Sequence, residues 1–343
     1  MVLRLDHELI ARFSDSPEEK KERVNTAEPV YTDHMICMAY REDSGWQTFR
    51  IHPRSRICID AQSGTFRQKR YCTAEVIVGK SEEGILQIFR AEETAASLSA
   101  RCRQKGIPAP DEELMTDCIR TLAEAEKDWI TVSEDVLLHI WILILSETAF
   151  SQEFQLNITA EVLPVQRDQI RLISCRSLLY DSSGIHMQHE RDGKNEVQMA
   201  LSVNNQGEIV GCPEANVFFR TGRRVCTPPS PLGGITYSDL MKDSAIRLME
   251  AEGLSVEECS INVTWFDCDS AGRIGNIDEI FITSLAEGIR PVTEWSHFGR
   301  ILWKNGGIES DTLAKNLQAR MRRILTGKED IYRWILYGNK RHG

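Results

Sequence analysis

The chain has no lysine between Lys127 and Lys194. Chemistry that needs an amine nucleophile must find it outside that stretch. Basic residues are in deficit: 41 Lys and Arg face 51 Asp and Glu, for a net charge of −10. That balance argues against nucleic acid or an anionic membrane as the main partner. No apolar run is long enough to span a bilayer. The longest, 136–145, reads as a buried strand. The first residues, Met1-Val2-Leu3-Arg4-Leu5-Asp6, lack the apolar stretch of a secretory leader, so a cytoplasmic protein is expected. The ten cysteines form no Cys-x-x-Cys pair and show no metal-ligand spacing with histidine. No metal is expected, and the thiols read as reduced and buried. There are no repeats and no low-complexity linker.

What is present is an ordinary globular balance over 343 residues, 41% hydrophobic and 27% charged. Residues 14–27 are polar and read as a loosely attached arm, giving an N-terminal arm over 1–28. Strand-like runs follow near 31–40, 56–60, 71–78 and 85–89. Helical patterns cover 91–105 and 111–127, the second with Leu114, Cys118, Leu122 and Ala125 at helical spacing. Strands are expected at 135–147 and 159–165, closing a smaller domain over 29–165. A larger domain, 170–343, alternates strands (197–203, 209–219, 278–283) with helices (237–252, ending at Gly253, and 310–325). The expected class is α+β, with two α/β domains.

Several segments carry a family likeness in a fixed order. They include Tyr31-Thr32-Asp33-His34-Met35, Ile88-Phe89-Arg90-Ala91-Glu92-Glu93 and Glu126-Lys127-Asp128-Trp129-Ile130. Glu214-Ala215-Asn216-Val217-Phe218-Phe219, Cys226-Thr227-Pro228-Pro229, Gly233-Gly234-Ile235-Thr236 and Asp278-Glu279-Ile280-Phe281-Ile282-Thr283 follow, then Pro291-Val292. Over roughly 30–325 the chain resembles the branched-chain aminotransferases, pyridoxal-phosphate (PLP) enzymes of fold type IV. The resemblance implies the fold type IV architecture, a homodimer and a lysine that holds PLP as an imine.

At the positions the resemblance marks for PLP, this chain departs from the family. Arg176 stands where the imine lysine aligns, and a guanidinium cannot form that bond. Ser97 takes the place of the phosphate-binding arginine, losing a charge-assisted pair. Gly211 takes the place of the pyridine carboxylate, with Glu208 and Glu214 nearby. Leu285 replaces a hydroxyl in the second phosphate loop, leaving Gly234-Ile235-Thr236 as a helix-start anion site. Trp141 replaces the arginine for the substrate carboxylate. Lys194 is the only nearby lysine and sits in a polar turn.

These departures raise the expectation of a protein that has lost PLP and works without a cofactor. It would use the old cleft for acid–base or shape catalysis, a cyclisation or isomerisation of a largely apolar, natural-product-like small molecule. Arg176, Tyr180 and His139 are the candidate catalytic groups. Trp141, Tyr71, Gln68, Leu285, Thr236 and Cys175 are the candidate substrate contacts, with Glu287 beside them. Two other readings stay open: a genuine PLP-dependent branched-chain-type aminotransferase, and a non-catalytic dimeric pseudoenzyme or metabolite binder.

Overall fold

The computed structural model describes residues 16, 19–20, 30–130, 136–147, 152–164, 169–176, 196–212, 215–230, 239–266, 277–285, 288–305, 312–330 and 332–338. The chain divides into two compact units. One comprises residues 1–165 and 322–343, the other 166–321.

The first unit is built on an eight-stranded sheet, in which every pairing is antiparallel. Its strands are β1 (Val30–Arg41), β2 (Gly45–Trp46), β3 (Arg50–Pro53), β4 (Tyr71–Lys80), β5 (Leu86–Phe89), β6 (Val136–Ser146), β7 (Phe154–Pro164) and β17 (Ile335–Tyr337). The spatial order is β17-β5-β4-β6-β7-β1-β2, with β3 also paired to β1. β6 explains the order. Leu138, Ile140, Ile142 and Ile144 alternate along it and are buried in the core, as a strand period of two requires. The intervening residues face the other way.

After α1 (Gly64–Gln68), two longer helices contribute to that core, α2 (Ala91–Gln104) and α3 (Glu112–Ala125). Asp111 caps α3 by accepting from the Glu113 and Leu114 amides at 3.0 and 3.2 Å. Its buried stripe is Met115, Cys118, Ile119 and Leu122, of which Met115, Ile119 and Leu122 are each worth about 1.5–3 kcal/mol of burial. Beyond α3, Glu126 accepts from the His34 amide at 2.7 Å and pairs with His34 Nδ1 at 2.8 Å. Trp129 Nε1 donates to Asp33 at 3.1 Å. The segments 31–35 and 126–130, both part of the family likeness, therefore meet. Lys20, within the segment expected to be loose, is buried and pairs with Asp33 at 3.3 Å.

The second unit carries a nine-stranded sheet. Its strands are β8 (Gln169–Arg176), β9 (Glu196–Val203), β10 (Ile209–Gly211), β11 (Asn216–Thr221), β12 (Arg224–Thr227), β13 (Ser255–Glu258), β14 (Glu279–Ser284), β15 (Gly288–His297) and β16 (Arg300–Lys304). The order is β10-β9-β8-β15-β14-β11-β12-β13, with β16 on β15. β8 runs parallel to both β9 and β15. Phe218 and Phe281 stack at 5.0 Å, and buried Trp295 donates to Ser174 Oγ at 2.7 Å.

Two helices follow β12 and β16: α4 (Asp239–Ala251) and α5 (Leu313–Leu325). The α5 N-terminus is held by Glu279 of β14, whose two oxygens accept from the Leu313 and Ala314 amides at 2.9 Å each. A carboxylate there satisfies orphan helix donors and complements the helix dipole. Arg220 pairs with the same group at 3.3 Å.

Two sequence expectations change. No strand forms at 56–60; the strand lies at Arg50–Pro53, where β1 offers a partner. The run 209–219 is two strands, because the β10 ladder is irregular between Ile209 and Gly211 and Gly211 sits at φ +132°. That backbone suits glycine.

Replacing Glu279 with Ala should cost about 2–4 kcal/mol, because two buried amides and Arg220 lose their acceptor. Urea unfolding measures this; a loss under about 0.5 kcal/mol would show the cap to be incidental.

Candidate functional site

The face of the first sheet opposite its apolar core is polar, and it gathers several residues singled out from the sequence. On β6, His139 and Trp141 point to this face, since Leu138, Ile140 and Ile142 take the other. β4 places Glu75 opposite Trp141 and Tyr71 opposite Leu145; β7 places Glu161 opposite His139. Tyr71 shares the alternation of Glu75, four residues on, about 13 Å along the strand.

His139 is fully buried, and both its ring nitrogens are committed. Nδ1 lies 3.1 Å from Glu161 Oε1 and Nε2 lies 3.0 Å from Glu75 Oε2. Trp141 Nε1 donates to the same Glu161 oxygen at 3.0 Å, and its ring centroid is 5.1 Å from that of His139. Burial opposes charge on the imidazole. Hydrogen bonds to Glu161 and Glu75, and then their negative charges, outweigh it and raise the His139 pKa to about 9. Burial likewise pushes Glu161 upward, but hydrogen bonds from His139 and Trp141 and the charges of His139 and Arg54 bring it below its ordinary value. At neutral pH this is an imidazolium between two carboxylates. It holds both protons, so it presents fixed charge rather than a free lone pair.

Sequence spacing did not show Glu75 and Glu161, which lie 64 and 22 residues from His139. The available signal was an acidic residue between the apolar Ala74 and Val76 on a strand. The spacing also missed a convergence in the second unit. Pairing of β12 with β13 brings ligand atoms of Cys226, Glu257 and Cys259 within 4.8 Å of one another, although Arg224 already pairs with Glu257 at 2.6 Å.

The remaining candidates are divided between the two units. Gln68 is exposed at the end of α1. Leu285 is buried just beyond β14. Ser97 is exposed on α2. Cys175 and Arg176 end β8 in register with Ser202 and Val203 of β9, and their side chains lie outside the described residues. So do Tyr180, Lys194, Glu214, Thr236 and Glu287. Glu208 is engaged elsewhere, by Ser260 at 2.6 Å and Asn204 at 2.8 Å.

The His139 network has a defined pH signature. Its folded pKa of about 9 exceeds the ordinary 6.5, so its contribution to stability is complete below about pH 6.5 and is lost as pH rises through about 9. The total is on the order of 3 kcal/mol. His139→Gln should remove that fall, measured as the midpoint of urea unfolding at several pH values. An unchanged pH slope would mean that the histidine is neutral in the folded state.

The amino-transferase class IV family matches residues 97–295. Branched-chain-amino-acid transaminase 1 of Bacillus subtilis (strain 168) is 24% identical over 325 residues, covering 87% of this chain and 89% of its own. Branched-chain-amino-acid aminotransferase 2 of the same organism is 25% identical, covering 89% and 90%. Among solved structures, the branched-chain amino acid aminotransferase of Thermobaculum terrenum in its PLP form has a TM-score of 0.63 at 17% identity, covering 92% of this chain and 100% of its own. The enzyme of Thermoproteus uzoniensis, solved with norvaline, has a TM-score of 0.64 at 15% identity, covering 90% and 99%.

These likenesses bear out the fold type IV architecture. They overturn the expectation of a cofactor-free cyclase or isomerase acting without PLP, because both of these relatives are branched-chain aminotransferases and one structural neighbour is in its PLP form. The expectation rested on single positions, whereas the match runs through nearly the whole chain. The chain belongs to the class IV amino-transferase family.

Proposed function

We propose that this protein is a PLP-dependent aminotransferase of the branched-chain type, acting on small amino and oxo acids. The observation that carries the reading is the extent of the likeness. Two curated branched-chain enzymes align with 87% and 89% of the chain. A homodimer is the assembly that goes with this reading. Among the described residues no helix is long and apolar enough to cross a membrane.

PLP would supply the aldehyde and the electron-withdrawing ring. Among the described residues, the positions that the resemblance marks do not complete a site for it. Ser97 is exposed and uncharged, and Gly211 occupies a φ of +132° that disfavours a carboxylate side chain. Arg176 ends β8 without an amine to offer. Lys242 is already committed: its buried Nζ donates to Pro228 O at 2.7 Å and Ser230 Oγ at 3.3 Å and pairs with Glu258 at 2.6 Å. No catalytic step follows from these residues. On this reading the amine is assigned to Lys194, the one lysine between Lys127 and Lys242.

The test is an absorbance spectrum of the purified chain with PLP, followed by borohydride reduction and peptide mapping. A visible imine band, a pyridoxyl adduct on Lys194 lost in Lys194→Ala, and transamination of a branched-chain amino acid are expected. Absence of band, adduct and turnover together would sink the proposal.

A further inference from the structure

A second chemically equipped site lies in the first unit, and it is independent of the PLP reading. Beside β1, β3 and β7 runs a groove of about 830 Å³, within the size range of small-molecule sites. Cys37, His52 and Asn157 line it, together with Arg50 and Arg56, both exposed. The strands set their spacing. Cys37 pairs with Asn157 across β1 and β7, and the β1–β3 register puts His52 opposite Met35, two residues before Cys37. Ile36 and Met38 point into the apolar core, so Cys37 takes the polar face.

His52 Nε2 lies 3.1 Å from Cys37 Sγ, and His52 Nδ1 lies 2.9 Å from the Pro53 carbonyl. A carbonyl only accepts, so Nδ1 carries the proton of the neutral ring and Nε2 presents its lone pair to the thiol. Cys37 also donates to Asn157 Oδ1 at 3.2 Å. The thiol thus has one proton and two acceptors. Burial pushes its pKa up to about 11, so it rests protonated and needs a base at the moment of attack. Asn157 is 1% exposed, and its Nδ2 has no hydrogen-bond partner. An orphaned buried donor is costly, and a ligand oxygen in the groove would satisfy it.

We propose that Cys37, His52 and Asn157 form a second reactive centre that accepts an acyl group from a small ester or thioester carrying a carboxylate. The two exposed arginines give the groove its preference for the anion. In the step, Cys37 sulfur attacks the acyl carbon and its proton passes to His52 Nε2. One carbon–sulfur bond forms, the bond to the leaving alkoxide or thiolate breaks, and the leaving group takes the proton from Nε2. Nothing is oxidised or reduced.

The experiment treats the full-length protein with mono-p-nitrophenyl succinate and, in parallel, with neutral p-nitrophenyl acetate. Release of nitrophenolate is followed, and adducts are mapped by peptide mass. Acylation of Cys37 is expected, faster with the anionic ester by at least about tenfold, absent in Cys37→Ser and slowed at least about tenfold in His52→Gln. Cys58, an exposed thiol on the same groove, is the internal control. Its labelling and the melting temperature should stay constant across the variants. The proposal fails if Cys37 reacts no faster than Cys58, or if His52→Gln leaves the Cys37 rate unchanged. A variant in which every cysteine labels faster has unfolded; His52→Asn then carries the same test, judged by the Cys37-to-Cys58 ratio.

Discussion

The sheet of the first unit is organised around one buried cation. His139 lies on β6 between Glu75 of β4 and Glu161 of β7, so three adjacent strands share one charge balance. Burying an unpaired ion costs several kcal/mol, and an imidazolium bonded at both nitrogens by carboxylates largely offsets that. The geometry also fixes register. A one-residue slip of any of these strands would turn its member of the triad into the apolar core and leave the other two uncompensated. Trp141 and Tyr71, and beyond β7 Cys37 on β1 and His52 on β3, inherit their positions from that register.

Much of this framework was legible in the sequence because it rests on period and punctuation. β4, β6 and the two longer helices of the first unit fall where alternation, helical spacing and Asp111 place them. The run at 209–219 reads as one strand because apolar residues dominate both its ends, but Gly211 at φ +132° closes the first strand and the second begins only at Asn216. The strand expected at 56–60 failed for a different reason. Local propensity says nothing about which segment finds a partner, and β1 pairs with 50–53. The site was less legible than the fold. His139 and Trp141 stood out as odd residues on an apolar strand, but their acidic partners come from other strands. Likewise, the 15 residues between Cys37 and His52 hide a contact of 3.1 Å that exists only because β3 folds back on β1.

Fold and cofactor chemistry depend on different numbers of residues. A fold is a property of hundreds of small agreements, and about a quarter identity over nine-tenths of the chain is enough to fix it. A reaction is a property of a few atoms. The relatives indicate aminotransferase chemistry, while the resemblance alone is what sets Ser97 and Gly211 where the family keeps donors.

Strand β17 has a consequence for the order of events during synthesis. It pairs with β5 across Ile335–Phe89, Leu336–Ile88 and Tyr337–Gln87, so the first unit's sheet is finished by residues made after the entire second unit. Until the ribosome reaches them, Leu86–Phe89, a strand whose four side chains are all buried in the finished protein, is an open edge. Such an edge is a template for a strand from any nascent neighbour. The interval between translation of β5 and of β17 is therefore the period in which this edge lacks its final partner.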